Sequence, residues 1–492
     1  KISFSALLLM VFLVPLFFIP GGSIPVQFGT SLLFAFGVIF SLLLFIVIRL
    51  RKGSIEMPKS KIIFLSLFFV VPVVYTISSL FNGISRMVFL GYTFDVSAVG
   101  FIILSFIFIY LTYVIFWNND RIFYSFLTLV LSSIIFALFL ILRIIFGATF
   151  LSFGSFTSLT NTVIGSWNSA GIFFGICAIL SLITYEMVKI SRFMKTMVSL
   201  ALLLSLFFLA VINFLFIWII LAAISLIFLG YKIFSPDFSS YSGMGDSWDE
   251  RIKRVSIYSL AIFVISLIFI FWGNSLGNKI TDSLHISNLD VRPSLSVTYD
   301  IAKNTFQKKP LLGSGPNTFV LQWLSYKPTD INSTVFWNTD FTSGVGLLPT
   351  FIVTTGVLGL LSWLLFFATY FYLGFKSFFW KEENLFSKYL GVTSFFISLY
   401  LWIMSFIYVS SVVIFILTLF FTGLFLAHIY NNGLMEKKNV IFSSNPKIGF
   451  VLSLILVALF VAGLFLANSL YKNFSSLWYF QKALYAGNVK NN

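Results

Sequence analysis

The chain has 492 residues, of which 59% are apolar and only 10% charged, against roughly 25% charged in soluble domains. That balance excludes a soluble enzyme, a disordered chain and a disulfide scaffold, and it predicts an all-α polytopic membrane protein. The formal net charge of +15 comes from 31 Lys and Arg against 16 Asp and Glu. It reads as topology and not as a nucleic-acid surface, because the cytoplasmic loops of membrane proteins collect basic residues.

A helix needs about 20 apolar residues to cross the hydrocarbon. Segments that meet this test fall near 3–20, 29–48, 62–81, 97–116, 122–145, 168–188, 196–212, 214–234, 256–273, 347–374, 389–408, 410–428 and 449–471. About thirteen transmembrane helices are therefore expected. The first run ends at Pro20-Gly21-Gly22 without a small-residue cleavage site, so it reads as a retained span and not a signal peptide. The chain starts at Lys1 without Met and is expected to be a piece of a longer one. The narrowest division is Ile212-Asn213-Phe214, where two spans abut.

Charge orients these spans. With Lys1 cytoplasmic, the loops 49–61, 117–121, 186–195, 231–255, 376–388 and 429–448 are cytoplasmic too. Together with Lys1 they hold 20 of the 31 basic residues and 10 of the 16 acids. The positive-inside rule then puts the N terminus inside and the C terminus outside. The expected layout is nine spans over 1–273, an extracytoplasmic cap loop over 274–346, four spans over 347–471 and an extracytoplasmic tail over 472–492. Within the cap, Val297 to Phe306 fits a helix that Pro310 and Gly313 end. In the tail, Trp478, Ala483 and Leu484 have helical spacing. That suits either a membrane-exit helix or the start of a tetratricopeptide-like array.

Three outer stretches carry groups able to build a site. In the first, Arg292-Pro293-Ser294 leads into a helix that ends in Lys308-Lys309-Pro310-Leu311-Leu312-Gly313-Ser314-Gly315-Pro316-Asn317. Two glycines let backbone amides approach an anion, and the basic side chains can neutralise a phosphate. The same residues also suit a plain glycine turn beside a lysine pair. The second, NTVIGSWNSAG over 161–171, sets Trp167 and Asn168 at the external interface, as ligand contacts or as aromatic belt and helix cap. The third runs from Phe336 to Gly359 and holds Asp340 as its only acid, a general base or a solvated cap. Arg86 and Arg143 are also external, Arg143 at a span end where snorkelling is the ordinary explanation. His285 lies in the cap, and His428 at the cytoplasmic end of span twelve.

Several signals are missing. No His/Cys cluster has metal-ligand spacing, no Gly-x4-Gly-Lys-Ser/Thr loop is present, and the single Cys177 lies in an apolar run. Span interiors hold almost no ionisable residues, where an ion-coupled transporter would want them at the midplane.

Taken together, these features resemble the O-antigen ligase and polymerase family of bacterial envelope proteins. The resemblance rests on the span number, the one large external loop before a late span, and the order Arg292…Lys309-Pro310-Leu311-Leu312-Gly313-Ser314-Gly315-Pro316. It also rests on Gly165-Ser166-Trp167-Asn168-Ser169-Ala170-Gly171, similar to the family's entry into a mid-chain span, and on Thr355-Gly356-Val357-Leu358-Gly359 in span ten. It covers the chain from about span four to span twelve.

The resemblance implies a metal-independent, inverting glycan transfer on the outer face of the bacterial cytoplasmic membrane, with no cofactor. The donor would be a glycan on a polyprenyl diphosphate, and the acceptor a hydroxyl of a glycan, lipid or protein. Arg292 would stabilise charge on the departing diphosphate, helped by Arg86, Lys308 and Lys309. The remaining expected substrate contacts are Arg143, Asn168, Gly313, Gly315, Lys327, Trp337 and Asn338. The chain departs from the family in having no His-Asn pair about eleven residues before Gly356, where Val345 stands. The family's Arg before span eight is also missing, and Asn213 stands near that place. Asp340 is the expected substitute base, ahead of His285. The alternative function is a lipid-linked oligosaccharide flippase or exporter, which would carry basic residues on several span interiors.

Overall fold

The computed structural model describes residues 1–22, 24–234, 256–288, 290–378, 384–444 and 446–490. Most of the predicted loop at 231–255 and part of the one at 376–388 lie outside them. The chain forms α1 (Ile2–Leu13), α2 (Val26–Lys52), β1 (Ser54–Pro58), α3 (Lys61–Phe68), α4 (Val70–Asn82), α5 (Arg86–Phe89), α6 (Val99–Ile115), α7 (Asn119–Phe146), α8 (Trp167–Met187), α9 (Arg192–Ile212) and α10 (Leu215–Phe234). It continues with α11 (Ile257–Ser283), α12 (Leu295–Lys308), α13 (Phe319–Tyr326), α14 (Leu347–Phe378), α15 (Leu385–Ile407), α16 (Val412–Asn431), β2 (Lys437–Ile441) and α17 (Pro446–Lys490). Among the described residues, ten helices are long and apolar enough to cross a membrane, and the bent pair α3–α4 counts as an eleventh if it is one span. The protein is a multi-pass membrane protein built almost wholly of helices. α1 and α6 also lie on predicted spans but are shorter, at 12 and 17 residues.

The bundle is organised around α16. Every residue from Val412 to Tyr430 is buried, and α2, α6, α7, α8 and α15 all touch this helix. A helix that is apolar on all sides can sit in a core or face lipid, and α16 is enclosed by protein on all sides. α8 is almost as enclosed. At the other extreme, α17 packs mainly on α2 and leaves most of its surface open, Phe465 and Phe450 each being 70% exposed.

Several predicted spans are modified. α3 and α4 meet at 53° around Phe69. Pro72 stands in the first turn of α4, where its missing N–H and its ring exclude a straight continuation through Phe68. Between α9 and α10, Asn213 takes the left-handed conformation at φ 49°. Its Nδ2 donates to the Gly273 carbonyl oxygen of α11 at 2.7 Å, and the chain thereby reverses with no loop. α11 runs to Ser283, past its predicted end at 273, and α17 absorbs the predicted tail into one helix of 45 residues.

One element departs from an all-α expectation. β1 and β2 pair antiparallel, with Ser54 opposite Ile441 and Met57 opposite Lys438. This two-stranded sheet joins the loops 49–61 and 429–448, which the charge count assigns to one side. Around it Arg49 Nη1 meets Glu56 Oε1 at 3.3 Å, and the Tyr430 hydroxyl donates to Glu56 Oε2 at 2.7 Å. Lys59 donates to the Glu436 carboxylate; that hydrogen bond raises the lysine pKa and lowers the glutamate's.

The register has a direct check. On oxidation, Met57→Cys with Lys438→Cys is expected to crosslink, whereas Met57→Cys with Asn439→Cys is not, because a one-residue slip turns the side chains to opposite faces. Gel mobility with and without reductant reads both, and the native Cys177 is buried and does not interfere.

Candidate functional site

α2 and α16 each run from the sheet to the opposite end of the bundle. Arg49 and Tyr430 end these helices at Glu56, while Gln27 and Val412 begin them, the Val412 amide donating to Gln27 Oε1. At this second end lies a polar cavity of about 870 Å³. Its walls include Gln27, Asn161, Thr162, Ser166, Asn168, Asp290 and Tyr408. The predicted segment 161–171 thus forms one wall. Its Ser166 caps α8, accepting from the Ser169 amide at 3.2 Å, which aims the first turn of α8 at the cavity. Ser287, Asn288, Asp290 and Val291 of the cap close the other side.

Tyr408 links the walls. Its hydroxyl is 3.1 Å from both Ser166 Oγ and Asp290 Oδ1, so Ser166 can donate to it while it donates to the carboxylate. Arg292 stands behind this pair. Its Nε donates to Asp290 Oδ2 at 2.8 Å, and its Nη1 to the Ile407 carbonyl at 2.7 Å. Its guanidinium lies 5.0 Å from the Tyr408 ring centroid. Arg292 is therefore packed against the cavity wall and is not part of its lining, while Asp290 is the one acid of the lining among the described residues.

The glycine turn has a different task. α14 is broken at Gly356, whose φ is 69° and ψ −158°. The turn after α12 fits into that break. The Val357 and Leu358 amides donate to the Pro310 and Leu311 carbonyls at 2.9 and 3.0 Å, and the Gly315 amide donates to the Thr354 carbonyl at 2.8 Å. The Gly313 amide donates to the Lys309 carbonyl. Both glycine amides are thus engaged within the protein and do not form an open anion cradle. Gly313 has φ 62°, and a Cβ there would stand 2.6 Å from the Thr354 carbonyl. Ser78 Oγ on α4 donates to the Leu312 carbonyl at 2.7 Å. Asn317 adds three bonds, to Ser97, Met87 and Asp95. The motif fastens the cap to the bundle.

The other expected contacts scatter. Arg143 is fully buried. Its Nε and Nη2 donate to the Ala148 carbonyl, Nη2 also to Ser158 and Nη1 to Asn161. It neither snorkels nor faces the cavity; it holds the loop that forms the wall. Lys309 Nζ donates to Asn82 Oδ1 at 2.7 Å, and Lys308 lies over the Tyr326 ring. Lys327 Nζ donates to the Trp337 carbonyl. Trp337, Asn338 and Asp340 are exposed on the cap surface, outside the cavity lining. His285 is exposed as well. Arg86 lies in a separate lateral cleft. Among the described residues, no group of three or more His, Cys, Asp or Glu could hold a metal ion.

Sequence reasoning missed Asp290 and Tyr408. Asp290 is one of five carboxylates in the long loop, and Tyr408 is the last residue of a predicted span, with nothing in its neighbours to single it out. Only the pairing of Asp290 with Arg292, two residues apart, was available as a signal.

Fold and cavity define the class: a multi-pass membrane protein with a polar, carboxylate-bearing cavity at one end of its bundle. No protein-family model matches the chain, and no curated protein matches it.

Arg143→Leu is expected to destabilise by about 2–4 kcal/mol, since several buried carbonyls lose their donor at once. Thermal unfolding in detergent and faster proteolysis within 147–161 read this. Loss of activity with unchanged stability and digestion would instead restore Arg143 as a substrate contact.

Proposed function

We propose that the protein is a membrane glycosyltransferase similar to the O-antigen ligases and polymerases, moving a glycan from a polyprenyl diphosphate to an acceptor hydroxyl. The reading takes all thirteen predicted segments as crossings, with the N terminus in the cytoplasm and the cavity and cap outside. The observation that carries it is the large polar cavity with a hydrogen-bonded carboxylate in its wall, at the end of the bundle away from the basic loops. Such a lining of Asn, Ser, Thr, Gln and Tyr offers many donors and acceptors to hydroxyls. A sugar fits that chemistry.

In this scheme Asp290, and not Asp340, is the general base. The acceptor O–H gives its proton to the Asp290 carboxylate as the oxygen forms a bond to the anomeric carbon. The bond from that carbon to the diphosphate oxygen breaks on the opposite face, and the diphosphate leaves with the electron pair. Arg292 is then a positioning residue, holding Asp290 and Tyr408 in place through the contacts on its Nε and ring face. Lys308 and Lys309, exposed at the end of α12, stand outside the cavity lining and take no part in this step.

One further observation favours an enzyme over a flippase. Among the described residues, the buried charged or His side chains are Arg49, Arg143, Glu186 and His428. All four lie at or near the last turn of their helices. A flippase passing a diphosphate needs cations nearer the midplane.

The test is transfer by purified protein from a polyprenyl-diphosphate glycan to candidate acceptors. Asp290→Asn is expected to lower turnover about 10²–10⁴-fold, the usual worth of a positioned base, with Asp340→Asn within about twofold of wild type. The reverse ranking returns the base to Asp340. Donor translocation across vesicles with no glycosidic bond formed, in wild type, rejects the enzyme.

A further inference from the structure

Arg86, the first residue of α5, and Lys472 on α17 line one lateral cleft of about 440 Å³ at the cavity end of the bundle. Its other walls are Ile84, Ser85, Phe89, Leu90, Phe465 and Ser469. Among the described residues, no carboxylate lines it. Both basic side chains are exposed, and among the described residues neither has an acidic partner. The walls beside them are apolar and open: Ile84 is 71% exposed and Phe465 70%. Two cations above open apolar walls, Lys472 directly after the apolar segment 449–471 of α17, present a charge for a phosphate and a surface for acyl chains together.

We propose that this cleft seats an anionic glycerophospholipid, its phosphodiester between Arg86 and Lys472 and its chains along Ile84, Phe89 and Phe465. The apolar walls choose a lipid over a soluble anion, which would gain nothing from them. The lining has two cations and, among the described residues, no carboxylate to pair with a choline or ammonium, which favours a net anionic headgroup over a zwitterionic one. The inference rests on the membrane character of the chain and not on glycan transfer.

Native mass spectrometry of the purified protein, given phosphatidylglycerol or phosphatidylcholine at matched concentration, tests it. Wild type is expected to retain phosphatidylglycerol preferentially. A basic residue near an anionic surface contributes about fivefold in binding, so each of Arg86→Ala and Lys472→Ala is expected to weaken retention about fivefold and the double variant about twenty-fivefold. Arg86→Lys should keep most of it, and Lys279→Ala, outside the cleft, all of it. Equal retention of the two lipids by wild type overturns the proposal without any variant. So does an unchanged preference in the folded double variant. Displacement by inorganic phosphate at the same concentration would reassign the cleft to soluble anions. Tighter binding of a polyprenyl phosphate than of phosphatidylglycerol would reassign it to a donor lipid.

Discussion

A helix interrupted inside an apolar layer leaves amides and carbonyls that lipid cannot satisfy, and each costs several kcal/mol unless protein answers it. The break at Gly356 in α14 is such an interruption. It is answered by the turn 310–315, whose carbonyls take the Val357 and Leu358 amides and whose Gly315 amide meets Thr354. The exchange works only at close approach, which explains glycines on both sides: a Cβ on Gly313 would collide with Thr354, and one on Gly356 with Gly313 and Leu311. Because the loop completes the helix, the cap cannot be a loosely tethered domain. Its own small core of Ile301, Phe319, Trp323 and Phe341 includes Val353 of α14.

The cavity depends on that attachment. Asp290 and Arg292 sit just before α12, and α12 ends at the turn that plugs α14. Arg292 then reaches the Ile407 carbonyl at the end of α15, so one guanidinium ties the cap to the residue that precedes Tyr408. From the other wall, Arg143 gathers the carbonyls of Ala148, Ser158 and Asn161. Two arginines, neither lining the cavity, hold opposite walls of it. Charged hydrogen bonds to backbone carbonyls suit this work, since the guanidinium presents several donors in fixed directions.

Charge has also divided by place. The basic residues of loops 49–61 and 429–448 meet at a sheet and two ion pairs. At the other end, Arg143 and Arg292 brace the cavity, Lys308 and Lys309 end the cap helix, and Arg86 and Lys472 line a separate cleft. The cavity lining itself has a carboxylate and no cation among the described residues.

By itself the sequence determined the class and the helices. Long apolar segments with few charges have no option in a membrane other than to be helical, so the helices fall on the predicted segments, and Ser294, Pro310 and Gly313 bound the cap helix close to where they were expected. It also marked 161–171 and 308–317 as special, and for the second left an anion cradle and a plain glycine turn both open. A glycine pair looks the same whether it admits a phosphate or a second stretch of backbone. Which of the two it admits depends on what packs against it, and here that is a helix forty residues further along. The same holds for Asp290 and Tyr408, 118 residues apart, and for Arg86 and Lys472 at opposite ends of the chain. Hydropathy and turn chemistry act over a few residues; a site is made where distant segments meet, and only the packing of the bundle decides that.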